Sequence, residues 1–210
     1  DPEKALKGLG EVWETMETAV KPYPSCRYSH AAMDALIELR AANDIKPEDV
    51  KSVEIGLPET GWKIIGDPEQ AKPAPLGIVD GQFSMPFCAA VTLREGGMVW
   101  DDYARHIGDE ETLDLCRRVH TAPDPKAEAE FPNNLSAVAR VKTTKGEYKA
   151  FVAVPKGEPG NFLKPEELRA KFDGLVGPYL PPARVDELAS RLLVIHKEDD
   201  INEVLRLTRP

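Results

Sequence analysis

The clearest structural signal in the sequence is LSAVARVKTTKGEYKAFVAV, residues 135–154. Apolar and polar residues alternate on both sides of Lys145-Gly146, which is the pattern of two antiparallel strands joined by a tight turn. We therefore predict a β-hairpin with strands at 135–144 and 147–154.

Upstream of the hairpin, the sequence predicts a buried helix that begins after Ser84. Ser84 is a suitable N-cap, Pro86 suits the first turn, and Gly96 suits the end of the helix. Its body, FCAAVTL, is apolar on all sides, which predicts burial. Other patterns predict a marginal helix over 1–20, a helix over 30–43 capped by Ser29, a strand over 53–57, a long loop over 59–80 and a helix over 109–119.

Downstream of the hairpin, one-sided apolar stripes predict three short helices, at about 165–175, 182–196 and 199–207. Helices this short gain most of their stability by docking on another surface. The order of elements predicts an α+β fold with a helical tail. We place the boundary between an α+β domain, residues 1–158, and the tail, residues 159–210.

Composition limits the classes of partner. The 210 residues carry a net charge of −9, which disfavours nucleic acid and anionic membranes as partners. No run of about 18 apolar residues and no signal peptide is evident, so we expect a cytoplasmic protein. The three cysteines fit neither a disulfide framework nor a paired metal motif, and no metal site is predicted. Because the chain begins with Asp1, we expect it to be part of a longer protein.

The segment TAVKPYPSCRYSHAAM, residues 18–33, contains basic residues and no acidic residue. Two prolines stiffen it as it approaches the start of a predicted helix, so its cations would lie near free backbone N–H groups. That arrangement suits a carboxylate ligand. The alternative is a solvated turn that leads into the helix.

Three stretches together resemble the MmgE/PrpD family, which includes 2-methylcitrate dehydratase, cis-aconitate decarboxylase and iminodisuccinate epimerase. KPYPSCRYSHAAMDALIEL at 21–39 and DGQFSMPFCAAVTLREG at 80–96 resemble two signatures of the family. GNFLKPEELRAKF at 160–172 resembles the segment that enters the closing helices of its members. The stretches occur in the family's order.

The resemblance implies that this chain is the C-terminal portion of a longer enzyme. Family members have an all-helical N-terminal part, a lid-like α+β domain with a small, mostly antiparallel sheet, and final helices that pack back on the helical part. Their active site lies between the two domains. The implied function is a cofactor-independent lyase or isomerase acting on small di- or tricarboxylic acids, most like 2-methylcitrate dehydratase. The isolated chain is expected to be inactive. Separately, the helices predicted over 165–208 carry more one-sided apolar face than they can bury on each other, so we expect a homodimer.

The resemblance and the residue chemistry select the same candidate site. Lys21 and His30 are the predicted catalytic residues. The predicted substrate-binding residues are Lys21, Cys26, Arg27, Gln82 and Ser84. Lysine and arginine can hold carboxylates, while His30 can exchange a proton or orient the loop.

Two positions depart from the family pattern. Cys26 stands where cis-aconitate decarboxylase has a histidine, and Phe87 stands where it and many dehydratases have a tyrosine. Both changes remove a group that can transfer a proton, which leaves the exact reaction open. They also favour an alternative function, a non-catalytic α+β binding or assembly module that kept the fold and lost the chemistry.

Overall fold

Helices and strands are mixed along the chain in this computed structural model, which describes residues 1–209. The helices are α1 (Pro2–Leu6), α2 (His30–Asn43), α3 (Glu59–Ile65), α4 (Ile78–Gln82), α5 (Met85–Glu95), α6 (Asp102–His106), α7 (Glu110–Cys116), α8 (Pro125–Glu128), α9 (Pro165–Val176), α10 (Pro182–Leu193) and α11 (Ile201–Leu207). The strands are β1 (Val50–Leu57), β2 (Val119–Pro123), β3 (Ala137–Thr143) and β4 (Glu147–Val152). The predicted α+β class is confirmed.

The four strands form one mixed sheet in the order β2-β1-β3-β4. Strand β3 pairs antiparallel with both β1 and β4, so the predicted hairpin is present and Ala139 faces Ala150 across it. Strand β2 runs parallel to β1. Strand β2 was not predicted, and the helix predicted over 109–119 overran its first residue, because this short edge strand is mostly exposed and lacks an alternating apolar pattern.

Helices α2 and α5 cover one face of the sheet. Alternate residues of the strands face these helices. Among them, Val53, Ile55 and Val141 are buried. Residues from Met85 to Leu93 of α5 are buried without exception, as the apolar FCAAVTL body predicted. The opposite face of the sheet is polar and lined by groups such as Glu54, Lys142 and Lys149.

The residues predicted to begin and end α5 act as expected. The Ser84 hydroxyl accepts a hydrogen bond from the Phe87 backbone N–H at 3.1 Å, which satisfies one of the free donors at the start of the helix. At the other end Gly96 has φ +82°, a left-handed conformation that favours glycine. The position of α5 therefore follows from its own sequence.

Three local predictions were wrong. The helix predicted over 1–20 is limited to α1 and a 3₁₀ turn at Glu14–Glu17, because Gly8 and Gly10 adopt positive φ angles that interrupt it. The loop predicted over 59–80 contains α3 and the start of α4. Ser29 precedes α2 but does not cap it, because its hydroxyl donates to the Cys26 carbonyl oxygen at 2.7 Å.

The tail helices α9, α10 and α11 share a small core of their own. Leu180, Val185, Leu188 and Val204 are its buried members. The predicted division after residue 158 stays a prediction. Among the contacts that cross it, Lys156 pairs with Glu167, and the Lys171 Nζ donates to the Lys21 carbonyl oxygen at 2.7 Å. None of the helices within residues 1–209 combines the length and apolar character needed to cross a bilayer.

Candidate functional site

The site is built on residues 21–29, which we call the cationic segment. It bends at residues 22–25 and ends in a 3₁₀ turn at Arg27–Ser29, directly before α2. Its middle is held by two donors to the Pro24 carbonyl oxygen, the Tyr103 hydroxyl at 2.6 Å and the Gln82 Nε2 at 3.3 Å. The Cys26 N–H in turn donates to the Gln82 carbonyl oxygen at 2.9 Å. The segment is therefore fixed in place by its backbone.

Asp34 of α2 anchors the beginning of the cationic segment. One of its carboxylate oxygens accepts a 2.6 Å hydrogen bond from the Tyr23 hydroxyl, and the other accepts a 2.7 Å bond from the Lys156 backbone N–H. Burial raises the pKa of Tyr23, and the neighbouring Asp34 raises it further. Burial also raises the pKa of Asp34, while the two hydrogen bonds act in the opposite direction. Tyr23 is thus a neutral donor committed to this anchor.

Lys21 lies at the exposed start of the cationic segment. Its ammonium group donates to the Ser25 carbonyl oxygen at 3.2 Å, and the described residues provide no carboxylate partner for it. Since a lysine ammonium has three N–H donors, Lys21 keeps donors for a ligand. Its position and charge fit the predicted role in binding a carboxylate, which stays a prediction.

Arg27 already has a carboxylate partner. Its Nη2 pairs with the Glu158 side chain, and both groups are partly exposed. Guanidinium has five N–H donors, so this pair leaves others free. A ligand carboxylate that approached Arg27 would meet Glu158 beside it, which the sequence did not reveal because the two residues are 131 positions apart.

Glu158 is presented by a tight loop that is attached to the residues before Lys21. The Val20 N–H donates to the Gly157 carbonyl oxygen at 2.8 Å. Gly157 has φ +90°, and a Cβ at this position would lie 2.0 Å from the Val20 carbonyl oxygen. Only glycine fits at this position. The loop backbone can therefore lie close against Val20, and this places Glu158 beside Arg27.

His30 is the first residue of α2 and is only 3% exposed. Its Nε2 is buried and has no hydrogen-bond partner within residues 1–209. Burial lowers the pKa of His30 to about 4; the Ser25 backbone opposes this shift, and the nearby cations Lys21, Arg27 and Lys171 reinforce it. The imidazole is therefore neutral near pH 7 and able to accept a proton, but protein atoms cover the nitrogen that would do so.

The remaining candidate residues have structural contacts of their own. Gln82 holds the cationic segment through both its side-chain amide and its backbone carbonyl. The Ser84 hydroxyl is buried, caps α5 and donates to the Lys72 carbonyl oxygen at 2.5 Å. Cys26 is partly buried and is a free thiol. Their proposed contacts with substrate stay predictions, and Ser84 has the least freedom to make one.

Phe87 lies beneath the site rather than in it. Its fully buried ring stacks on Tyr103, with ring centroids 5.9 Å apart and an interplanar angle of 16°. The phenol of Tyr103 is the one that reaches the cationic segment, through Pro24. Burial raises the pKa of Tyr103, so its hydroxyl remains a hydrogen-bond donor.

Sequence reasoning missed three residues at the site: Glu158, Tyr103 and Lys171. The tail residue Lys171 lies beside Lys21 and is one of the cations that lower the pKa of His30. These residues come from separate elements, and no local pattern marks them. Only the tertiary structure brings them to the cationic segment.

A separate group of possible metal ligands lies between α5 and α6. Donor atoms of Glu95, Asp102 and His106 lie within 4.8 Å of one another. They already have partners: the His106 Nε2 is 3.0 Å from a Glu95 carboxylate oxygen, and Asp102 pairs with Arg105. The Arg105 guanidinium supplies the positive charge that a metal ion would bring. We assign no metal to this group.

Comparison with known proteins gives a family match over most of the chain. Residues 23–194 match the profile described as the MmgE/PrpD C-terminal domain. The chain is 25% identical over 224 aligned positions to a cis-aconitate decarboxylase-like protein, oryM, from Aspergillus oryzae, and 23% identical over 223 positions to a cis-aconitate decarboxylase from Aspergillus terreus. Each alignment covers 98% of this chain and 43% of the relative. The chain thus spans less than half the length of these relatives.

Proposed function

The chain belongs to the MmgE/PrpD family through its C-terminal domain, and on that premise we propose that it supplies the carboxylate-binding part of an enzyme acting on small di- or tricarboxylic acids. One observation carries the proposal. Three cationic side chains, Lys21, Arg27 and Lys171, act on one buried neutral imidazole, His30. Cations bind the carboxylates of the substrate, and a neutral imidazole is the form that accepts a proton.

In this proposal, substrate binding makes His30 a better base. Burial is the largest cause of the lowered pKa of His30, and the three cations reinforce it. A bound carboxylate would offset their charge and so raise the pKa of His30 by the part that the cations contribute. Proton transfer at a carbon beside a carboxylate would then be favoured where the cations stabilise the developing charge. Since protein atoms cover Nε2, the cationic segment must shift to give the substrate access.

We propose an all-helical partner, in the same chain or a separate one, as the other half of the site. The tail carries more apolar surface than it buries: Leu193 is 77% exposed and Leu175 is 46% exposed. A groove of about 650 Å³ between α9 and α10 is lined by apolar side chains such as Phe162 and Leu168. Such surfaces suit a helical neighbour or a second copy of the chain. A homodimer is therefore part of the proposal.

Two reactions are candidates within this class. The sequence resemblance favours dehydration of the 2-methylcitrate dehydratase type. The curated relatives favour decarboxylation of cis-aconitate, although Cys26 stands where cis-aconitate decarboxylase has a histidine; Phe87 departs from both groups and does not discriminate between them. We rank dehydration first for that reason.

A non-catalytic module is the second candidate function. The Arg27–Glu158 ion pair favours it, because an arginine that is already neutralised does not need a substrate. In that case the cationic segment would serve only to connect α2, α9 and the loop that carries Glu158.

The enzyme and the non-catalytic module predict different outcomes for the substrate in D₂O. The chain would be assayed alone and together with the all-helical half, using 2-methylcitrate and cis-aconitate, with deuterium uptake and product followed by NMR. The enzyme proposal predicts exchange or turnover only when both halves are present. Turnover by the 210-residue chain alone would refute the expected inactivity, and absence of any exchange with both halves present would favour the module.

A further inference from the structure

We infer that Lys171 of the tail and Lys21 of the cationic segment together form a subsite for one carboxylate group of a small aliphatic dicarboxylate, and that the carbon chain of this ligand lies against Trp100. The inference deepens the proposed function and takes the class of ligand from it. It adds a binding residue, Lys171, from outside the cationic segment. The cleft itself is defined by the structure alone.

The cleft lies between the cationic segment, the loop at 98–100 and α9. Its volume is about 310 Å³, which suits a small organic acid. Lys21 and Lys171 are the charged groups of its lining. The other lining residues are mainly apolar: Pro22, Tyr23, Pro24, Met98, Val99, Trp100, Ala170, Gly174 and Leu175.

The two ammonium groups have donors to spare. Lys171 donates to the Lys21 carbonyl oxygen at 2.7 Å, and Lys21 donates to the Ser25 carbonyl oxygen at 3.2 Å. Each bond uses one of three N–H donors. Across the described residues neither ammonium has a carboxylate within ion-pair distance, although acidic residues outnumber basic ones by 36 to 27 in the whole chain. Both lysines line this cleft, so an anion bound in it would offset two positive charges that no acid of the described residues neutralises.

The apolar wall is held in place. The Val99 N–H donates to the Asp102 carboxylate at 2.7 Å, which fixes the loop. The Trp100 ring meets Tyr103 edge-on, with centroids 5.8 Å apart, yet 44% of Trp100 remains exposed. A carbon chain packed against Trp100 would cover exposed apolar surface, and a carboxylate near an apolar wall interacts more strongly with a cation than it does in open water.

The test is a titration of the 210-residue chain with glutarate, followed by ¹H–¹⁵N NMR. Glutaramide, which has the same carbon chain without charge, is the control ligand. We expect glutarate to shift the Trp100 indole N–H and the amides around Lys21 and Lys171, while the indoles of Trp13 and Trp62 stay in place. Glutaramide should cause no such shifts.

The variants Lys171→Met and Lys149→Met separate a specific site from general charge attraction. Both remove one positive charge, and Lys149 lies on the distant polar face of the sheet. Loss of a charged hydrogen bond should weaken glutarate binding roughly tenfold in Lys171→Met and leave it unchanged in Lys149→Met. Equal weakening in both variants, or no shift of the Trp100 indole at millimolar glutarate, would overturn the inference. Glutarate binding here without activity in the two-half assay would instead count against the proposed function.

Discussion

Arg27 and Glu158 form an ion pair that joins the cationic segment to the loop after β4. We propose that the Arg27 guanidinium binds a carboxylate of the substrate. In the structure it already binds the carboxylate of Glu158. In the proposed function, an incoming substrate carboxylate would meet a group of the same charge, so its binding would be coupled to the loop at Gly157.

We predict that Glu158→Gln tightens the binding of dicarboxylates. The substitution keeps a side chain of similar size, removes one negative charge and frees the Arg27 Nη2. Exposed ion pairs contribute about 0.2–1 kcal/mol, so the gain in affinity should be up to about fivefold, as measured by calorimetric titration with glutarate. The control is Glu147→Gln, which removes a pair with Lys142 on the polar face of the sheet. Weaker binding in Glu158→Gln would show instead that Glu158 positions Arg27.

Gly157→Ala should strongly destabilise the protein. The new Cβ would lie 2.0 Å from the Val20 carbonyl oxygen in a backbone with φ +90°, so the loop must leave Val20. We expect a loss of about 2 kcal/mol or more in the free energy of unfolding, measured in urea. Gly160→Ala is the matched control, because its Cβ would make only a 3.6 Å contact with Val154. Equal stability of the two variants would mean that the loop does not depend on Gly157.

Tyr103→Phe should loosen the cationic segment while leaving the core intact. The ring stack on Phe87 remains, but the Pro24 carbonyl oxygen keeps only the longer bond from Gln82. A loss of about 1 kcal/mol in unfolding free energy is expected, with faster amide exchange at Cys26. Tyr148→Phe serves as the control, because the Tyr148 hydroxyl makes no hydrogen bond within residues 1–209. An unchanged exchange rate at Cys26 would contradict this role for Tyr103.

His30 should make stability depend on pH. Its pKa in the folded state is about 4, below its ordinary value, so the unfolded state binds the proton more tightly. The stability that neutral His30 contributes is complete above about pH 6.5 and is lost as the pH falls toward 4, by about 1.4 kcal/mol per pH unit. Urea unfolding between pH 7 and pH 4 would measure this slope. His30→Gln should flatten it, and an unchanged slope in that variant would show that other groups cause the dependence.

Local signals were enough to predict the main framework. The alternation in β3 and β4, the Ser84 cap and the left-handed Gly96 act over a few residues, and each predicted an element that the structure contains. The error at residues 1–20 has a physical reason too, because Gly8 and Gly10 break a helix whose apolar spacing looked regular. Edge strand β2 escaped prediction because its stability comes from pairing with β1.

The candidate site was predictable only in part. Lys21, Arg27 and His30 stand close together in the sequence, and the prolines beside Lys21 indicated a stiffened approach to α2. Glu158, in a loop, and Lys171, in helix α9, reach the same place from more than 130 positions away. No sequence pattern reports such contacts, so neither the neutralisation of Arg27 nor the second lysine in the cleft was foreseen.

We propose that the cationic segment binds the carboxylates of a substrate in a two-part enzyme. The most direct test is kcat/KM for 2-methylcitrate and cis-aconitate, measured by NMR on this chain combined with its all-helical half, for the wild type, Lys21→Met and Lys149→Met. We expect kcat/KM to fall by about 100-fold or more for Lys21→Met and to stay unchanged for Lys149→Met. Wild-type kcat/KM in Lys21→Met would contradict it.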